Sequence, residues 1–253
     1  MVEDGYLIDP KKRFSSRVEN YIKYRPDYPP IIIEFLIKNN ILSNKSIIAD
    51  IGSGTGILSK HFLNNGNKVY GIEPNNDMRN AAENFLKNYP DFISIDGSAE
   101  KTGLKNGSID LITAGQAFHW FNVKQAKKEF KRILKPNGYV ALIWNNRRKT
   151  GKGFSSHYEE FILKYGTDYK QVRKTEKNVD EFFQYKKSVF YNYQDLDFNG
   201  LKGRLLSVSY IPLEGGPNYE KMLDELKMIF EENMKNGRVR IEYDTEIYYG
   251  KLN

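Results

Sequence analysis

The chain reads as an α/β protein with a doubly wound, Rossmann-like, mostly parallel sheet and helices on both faces. An antiparallel C-terminal strand and an inserted cap complete the expected fold. Three observations predict it. Between residues 30 and 146, short β-branched runs alternate with amphipathic helical stretches, the order that builds a parallel sheet. The strand runs are almost wholly apolar, as in strands covered on both faces. The segment Gly52-Ser53-Gly54-Thr55-Gly56 joins the first run to a helix, where open α/β sheets bind ligands.

Each element follows in order. Pro29-Pro30 starts a helix over Ile31 to Ile41, since proline suits a helix start. Ile47 to Ile51 is the first strand, and Ile57 to Asn65 is a helix closed by Gly66. Lys68 to Glu73 is the second strand, followed by a helix from Asn75 to Asn88. Phe92 to Asp96 and Ile109 to Thr113 supply the third and fourth strands. Val123, Ala126, Phe130, Ile133 and Leu134 form a helical stripe that Lys135-Pro136-Asn137-Gly138 stops, and Tyr139 to Trp144 is the fifth strand.

Beyond Trp144 the texture changes. Residues 147–187 hold 11 Lys and Arg against 6 Asp and Glu, with eight Phe and Tyr, which suits a basic, aromatic cap over the sheet. Ser188 to Leu196 alternates as a strand, Tyr219 to Asn236 is helical, and Arg238 to Lys251 returns as a final strand. The expected organisation is one domain spanning residues 1–253. It comprises an N-terminal lid (1–29), a cofactor-binding core (30–146), a substrate cap (147–187) and a closing segment (188–253).

Composition bounds the function. The 253 residues are 40% hydrophobic and contain no cysteine, which excludes a disulfide scaffold, thiolate metal ligands and a cysteine nucleophile; no metal is expected. The longest apolar run, Tyr139 to Trp144, is far short of the ~20 residues that span a membrane. The acidic start Met1-Val2-Glu3-Asp4-Gly5 lacks the apolar stretch of a secretory signal. A cytoplasmic protein with no membrane partner is expected. A net charge of +7 leaves nucleic acids and small anions open as partners.

The glycine segment separates ligand classes. Ile57 stands five positions after Gly52 and no Gly-Lys follows, so it is not a phosphate-binding G-x-x-x-x-G-K-[ST] loop. As a dinucleotide G-x-G-x-x-G fingerprint it places Ile57 at the third small position, against close helix–strand packing; starting from Gly54 puts Ser59 there. Glu73 lies 21 residues after Gly52, near the ~20 expected of an acid that accepts ribose hydroxyls. A nucleoside without a pyrophosphate fits better.

Asp50-Ile51-Gly52-Ser53-Gly54-Thr55-Gly56 with Gly71-Ile72-Glu73 resembles the class I S-adenosylmethionine-dependent methyltransferases. The resemblance implies S-adenosyl-L-methionine as methyl donor, with S-adenosyl-L-homocysteine as product. It places Gly52, Ser53, Gly54 and Gly56 along the donor, Asp50 near the methionine ammonium and Glu73 on the ribose. Asp96-Gly97-Ser98-Ala99-Glu100 is similar to the segment that reads adenine, with Ser98 facing its amino group and the Ala99 N–H a ring nitrogen; the family more often has Asp where Ser98 stands. Tyr21 to Pro29 and Gly115-Gln116-Ala117-Phe118-His119-Trp120-Phe121 resemble the trans-aconitate methyltransferase-like small-molecule enzymes. There the N-terminal segment folds over the donor, making Tyr24 and Arg25 contacts, with Arg25 suited to the methionine carboxylate. The likeness covers residues 14–146, and Gly203 to Pro212 more weakly.

Gln116, His119 and Trp120 after the fourth strand, and Asn145, Asn146 and Arg147 after the fifth, are expected to border the transfer site. His119 is the titratable candidate base of that loop; the preferred alternative is a histidine bonded within the aromatic cluster of Phe118, Trp120 and Phe121. His61 and His157 read as surface residues. The basic cap favours a small anionic, carboxylate acceptor held by Arg147, Arg148, Arg173 or Lys174, and a carboxylate needs no base. Methylation of RNA, donor binding without catalysis and, more remotely, a nicotinamide oxidoreductase are the alternatives. Gly115-Gln116-Ala117-Phe118 stands where amino-methylating DNA enzymes carry Asn/Asp-Pro-Pro-aromatic, so nucleic acid is not the expected partner.

Overall fold

A computed structural model describes residues 18–149, 153–166, 179–208, 210–212 and 214–252. Its strands are β1 (Ile47–Ile51), β2 (Lys68–Ile72), β3 (Phe92–Ile95), β4 (Ile109–Gly115), β5 (Leu134–Arg147), β6 (Lys186–Leu196) and β7 (Val239–Gly250). They form one seven-stranded sheet in the order β3-β2-β1-β4-β5-β7-β6. The first five strands of that order run parallel, and β7 is antiparallel to both β5 and β6. The order reverses between β1 and β4, which opens a crevice at their carboxyl ends.

Before β1 lie α1 (Val18–Tyr24) and α2 (Ile31–Lys38). The crossover helices are α3 (Ile57–Asn64), α4 (Asn76–Phe85) and α5 (Val123–Ile133). Asn75 and Asn122 cap α4 and α5, their side chains accepting the Met78 and Gln125 N–H groups at 2.9 and 3.2 Å, which satisfies donors that a helix start leaves open. The later helices are α6 (Phe154–Tyr165), α7 (Val179–Phe182), α8 (Phe198–Leu206) and α9 (Tyr219–Asn233).

Strand alternation sorts the core. Val140, Leu142 and Trp144 of β5 face one cluster with Phe118, Phe130 and Phe182, while Ala141 and Ile143 face another with Leu36 and Phe62. Burying side chains of this size contributes about 1.5–3 kcal/mol each, so both faces of β5 anchor helices. A third cluster joins Tyr158 and Phe161 of α6 to Leu205 of α8, Leu226 and Phe230 of α9, and Tyr243 of β7. The helical layer beside the sheet edge therefore recruits α8 and α9, whereas the sequence confines the cap to 147–187. Within that span α7 packs into the central cluster instead, its Phe182 ring 4.9 Å from Phe118.

The turn signal Lys135-Pro136-Asn137-Gly138 stops α5 but not the strand. Leu134 already pairs with Ile109, and pairing resumes at Tyr139 with Leu111, so four residues bulge out opposite one. Of the expected lid, residues 1–17 lie outside the described residues, as do Arg173, Lys174 and Ser209. No described helix is long and apolar enough to cross a membrane.

Glu129 fixes α5 to the chain after β3. Its carboxylate accepts the Thr102 N–H at 2.8 Å and the Thr102 hydroxyl at 2.6 Å, and Arg132 closes on it at 2.7 Å. The hydrogen-bonded Arg132, outweighing burial, holds its pKa down to about 2. A lowered carboxyl pKa stabilises the fold above the ordinary value and loses that contribution as pH falls toward 2. Glu129→Gln is expected to cost about 1–3 kcal/mol in urea unfolding at pH 7, with the deficit shrinking as the titration is repeated from pH 5 downward.

Candidate functional site

The crevice is built around the turn that follows β1. Gly52, Gly54 and Gly56 all have positive φ, at +67°, +56° and +82°, a region that costs other residues about 1–2 kcal/mol. The Gly52 and Ser53 N–H groups donate to the Ile72 carbonyl at 2.8 and 3.2 Å, so the turn folds back onto the end of β2. A Cβ at Gly52 would sit 2.6 Å from the Ala117 Cβ, whereas one at Gly54 would meet nothing within 4 Å. Gly52 packs against Ala117 and lines the crevice, whereas Gly54, next to the lining residues Ser53 and Thr55, faces open space.

Two buried carboxylates flank the turn. Glu73 accepts the Gly54 N–H at 3.0 Å on one oxygen and the Asn75 N–H at 2.9 Å on the other. Burial raises its pKa despite these bonds. A carboxylate has about four acceptor positions, so each oxygen keeps one. Asp50 pairs in register with Gly71 on one side and Thr113 on the other. It accepts the Ser59 and Thr113 hydroxyls at 2.6 and 3.1 Å, yet complete burial pushes its pKa up to about 6. In ligand-free protein this group stabilises the fold when protonated, fully below about pH 4, and that contribution is lost as pH rises through 6.

Asp50, Gly52, Ser53 and Thr55 line a narrow cleft that opens to solvent. Arg25, Pro26 and Tyr28 form its outer wall, and Gly115, Gln116 and Asn145 its floor. The Thr55 hydroxyl, on that lining, is buried with no hydrogen-bond partner among the described residues. Gln116 adopts φ +56°, an unusual value for a side-chain-bearing residue, and its amide donates to the Asn145 carbonyl at 3.1 Å.

The remaining sequence candidates scatter around this cavity. Arg25 lies on its wall and also donates to the Ser207 carbonyl at 3.1 Å. The Tyr24 ring instead packs on Gly203 of α8 so closely that a Cβ there would overlap it. Ser98 pairs with Lys101 across a tight turn, and Ala99 is buried beside it. His119 and Trp120, with rings 4.8 Å apart, form a short 3₁₀ turn with Phe118 beyond the cavity lining.

Three expectations change. His61 is not a surface residue: its side chain is only 13% exposed and meets Asp27 at 2.7 Å, because α3 turns it toward the segment before α2. His157 is exposed, as expected. Arg147 and Arg148 are not free to hold an anion, since Glu159 pairs with the first and Asp244 takes two hydrogen bonds at 2.8 and 2.7 Å from the second. Sequence reasoning missed Tyr28 and Thr55 on the cavity wall and the hydroxyls of Ser59 and Thr113; the last pair with Asp50 only through strand register and helix return, which composition does not display. Among the described residues no cluster of three or more acidic or histidine side chains could hold a metal.

With this geometry in view, the likeness to known proteins is specific in position. Residues 49–142 match a family model described as a methyltransferase domain. An uncharacterized methyltransferase of Schizosaccharomyces pombe is 36% identical over 137 residues, 54% of this chain and 53% of that protein. One of Mycobacterium bovis is 32% identical over 134 residues, covering 53% and 52%. The chain thus matches about half the length of these curated relatives. A solved structure from Anaeromyxobacter dehalogenans, bearing a type II methyltransferase name, superimposes with a TM-score of 0.69 at 17% identity, over 90% of this chain and 98% of that one. The whole described sheet therefore shares that fold, and the matched segment runs from β1 into β5.

Gly54 gives a direct test of the crevice. Gly54→Ala meets no atom and should cost only about 1–2 kcal/mol of stability through its φ, yet it fills the open approach and is expected to abolish nucleoside binding in calorimetry. Gly52→Ala should instead lower the thermal midpoint markedly, because its Cβ meets Ala117.

Proposed function

We propose that this protein is an S-adenosylmethionine-dependent methyltransferase acting on a small anionic acceptor, a carboxylate. The observation that carries the reading is the pairing of Glu73 with the Gly54 turn: a carboxylate with spare acceptor positions beside backbone that a ligand can approach. The residues present fit the donor. Glu73 would take the ribose hydroxyls, Asp50 would face the ammonium group, the Thr55 hydroxyl offers an unpaired polar contact, and Arg25 would take the carboxylate. Arg25, Pro26 and Tyr28 from one of the two stretches that resemble the trans-aconitate methyltransferase-like group, and Gly115 and Gln116 from the other, line the same cavity, which supports a small-molecule acceptor.

When bound, the donor supplies a methyl group on a cationic sulfur. Asp50, Glu73 and Arg25 would hold the donor for transfer of that methyl to an acceptor oxygen, the carbon–sulfur electron pair leaving with sulfur. No proton moves when the nucleophile is a carboxylate, so His119 needs no base role; Gln116, on the lining, acts by shaping the acceptor side, while Trp120 lies beyond it. The protein's contribution is alignment and exclusion of water. Asp50 and Glu73 place negative charge around the donor's positive groups, where the poorly solvated crevice strengthens the attraction.

Two experiments test this reading. Labelled methyl transfer into a small-molecule extract, with RNA in parallel, is expected to give a product whose label alkali releases as methanol. Alkali-stable label would overturn the ester reading and make His119 the first residue to replace; label in RNA would overturn the acceptor class. The raised pKa of Asp50, about 6, adds a pH signature. Affinity for S-adenosylhomocysteine should rise between pH 5 and 7 as Asp50 ionises, and Asp50→Asn should bind weakly with a flat profile over that range.

A further inference from the structure

Arg204, on α8, is 8% exposed. Its Nε donates to the Tyr243 hydroxyl at 3.2 Å, and Nη1 reaches the Ser207 hydroxyl at 3.5 Å. Among the described residues no carboxylate forms an ion pair with it; its near surroundings are the phenols of Tyr158, Tyr210 and Tyr243. A guanidinium stays protonated in proteins, and burying a charge without an opposite one costs several kcal/mol. The other buried cation nearby is balanced: Arg147 lies over the Tyr158 ring at 4.9 Å and pairs with Glu159. Among the described residues, the Arg204 charge therefore has no opposite charge beside it.

Its place in the sheet gives that charge a use. Tyr243 pairs with Arg147 across β5 and β7, and Thr245 pairs with Asn145 two residues earlier on β5. Alternate residues share a strand face and lie about 6.6 Å apart, so the cluster adjoins the cavity wall formed by Asn145. Arg25 bridges the two, lining the cavity while donating to Ser207. The Tyr158 hydroxyl makes no hydrogen bond among the described residues, and burial keeps the phenol protonated by raising its pKa to about 12. It is a donor available to an anion. Leu205, Val208 and Ile211 of the same cluster offer an apolar wall.

Resting on the carboxylate reading above, we infer that Arg204, with the Tyr158 hydroxyl, is the acceptor's anion receptor, and that the acceptor is a small organic monocarboxylate with an apolar body; the Tyr243 hydroxyl, which donates to Gln194 at 2.8 Å, holds the guanidinium in place. One guanidinium without a counter-charge matches one carboxylate, and the Tyr158 hydroxyl matches one of its remaining lone pairs.

The test uses the full chain, Arg204→Met and Arg204→Lys. Thermal midpoints are measured alone and with millimolar sodium acetate, butyrate, benzoate or phenylacetate, each with S-adenosylhomocysteine present, and its affinity is measured separately by calorimetry. At least one carboxylate is expected to raise the wild-type midpoint, Arg204→Met to abolish that shift and Arg204→Lys to reduce it. Without carboxylate, Arg204→Met should be as stable as wild type or more so, because an apolar chain replaces an unbalanced buried charge. S-adenosylhomocysteine affinity should be unchanged in both variants. A less stable Arg204→Met that retained the carboxylate shift would overturn the inference and make Arg204 a structural residue. The absence of any wild-type shift would overturn it too. Failure of S-adenosylhomocysteine to bind wild type would instead overturn the methyltransferase reading, and the carboxylate shift would remain readable on its own.

Discussion

The Glu73 carboxylate holds the strand ends around the β1 turn together. It bridges the Gly54 N–H of the turn after β1 and the Asn75 N–H at the start of α4, so one buried group ties two crossover connections. The turn returns the contact through Gly52 and Ser53, whose N–H groups bond the Ile72 carbonyl, and Arg79 secures the strand end by donating to the Glu73 carbonyl at 2.9 Å. Burial would favour a neutral carboxyl here. The two backbone donors oppose that tendency and fix both oxygens at the crevice, so one arrangement shapes the loop and supplies the acceptors a ribose needs.

Charge is distributed along the strand ends with a direction. The buried carboxylates Asp50 and Glu73 stand at β1 and β2, while Arg147 and Arg204 gather around β5 and β7. A sulfonium donor and a carboxylate acceptor are the two charges such a polarity would order, cation toward β1 and anion toward β5. Buried charges of this kind cost stability in the ligand-free protein, and the raised pKa of Asp50 reports part of that cost. The Arg148–Asp244 and Arg147–Glu159 pairs neutralise the neighbouring basic residues.

What the sequence disclosed was set by period and by glycine. Apolar runs such as Ile47 to Ile51 and Tyr139 to Trp144 mark strands covered on both faces, and their alternation with helices marks a doubly wound sheet; the order of the strands is visible only in the structure. The turn at Gly52 to Gly56 and the spacing to Glu73 located the crevice. Other features depend on contacts between distant residues. Lys135 to Gly138 carries every sign of a terminus, yet strand pairing on both sides turns it into a bulge. Arg147 and Arg148 look available in a basic run until Glu159 and Asp244 are brought beside them. Arg204 stands in a stretch with only a weak apolar stripe, and its isolation from any acid is visible only after α6, α8 and β7 converge.

The account's central claim is that the Gly54–Glu73 crevice holds the nucleoside of a sulfonium donor. The most direct measurement is a calorimetric titration of wild-type protein with S-adenosylhomocysteine, beside a titration with reduced nicotinamide dinucleotide and a repeat of both with Glu73→Ala. Saturable one-to-one binding of S-adenosylhomocysteine, lost in Glu73→Ala and absent for the dinucleotide, is the predicted result. Binding of the dinucleotide in its place, or S-adenosylhomocysteine binding indifferent to Glu73, would contradict it.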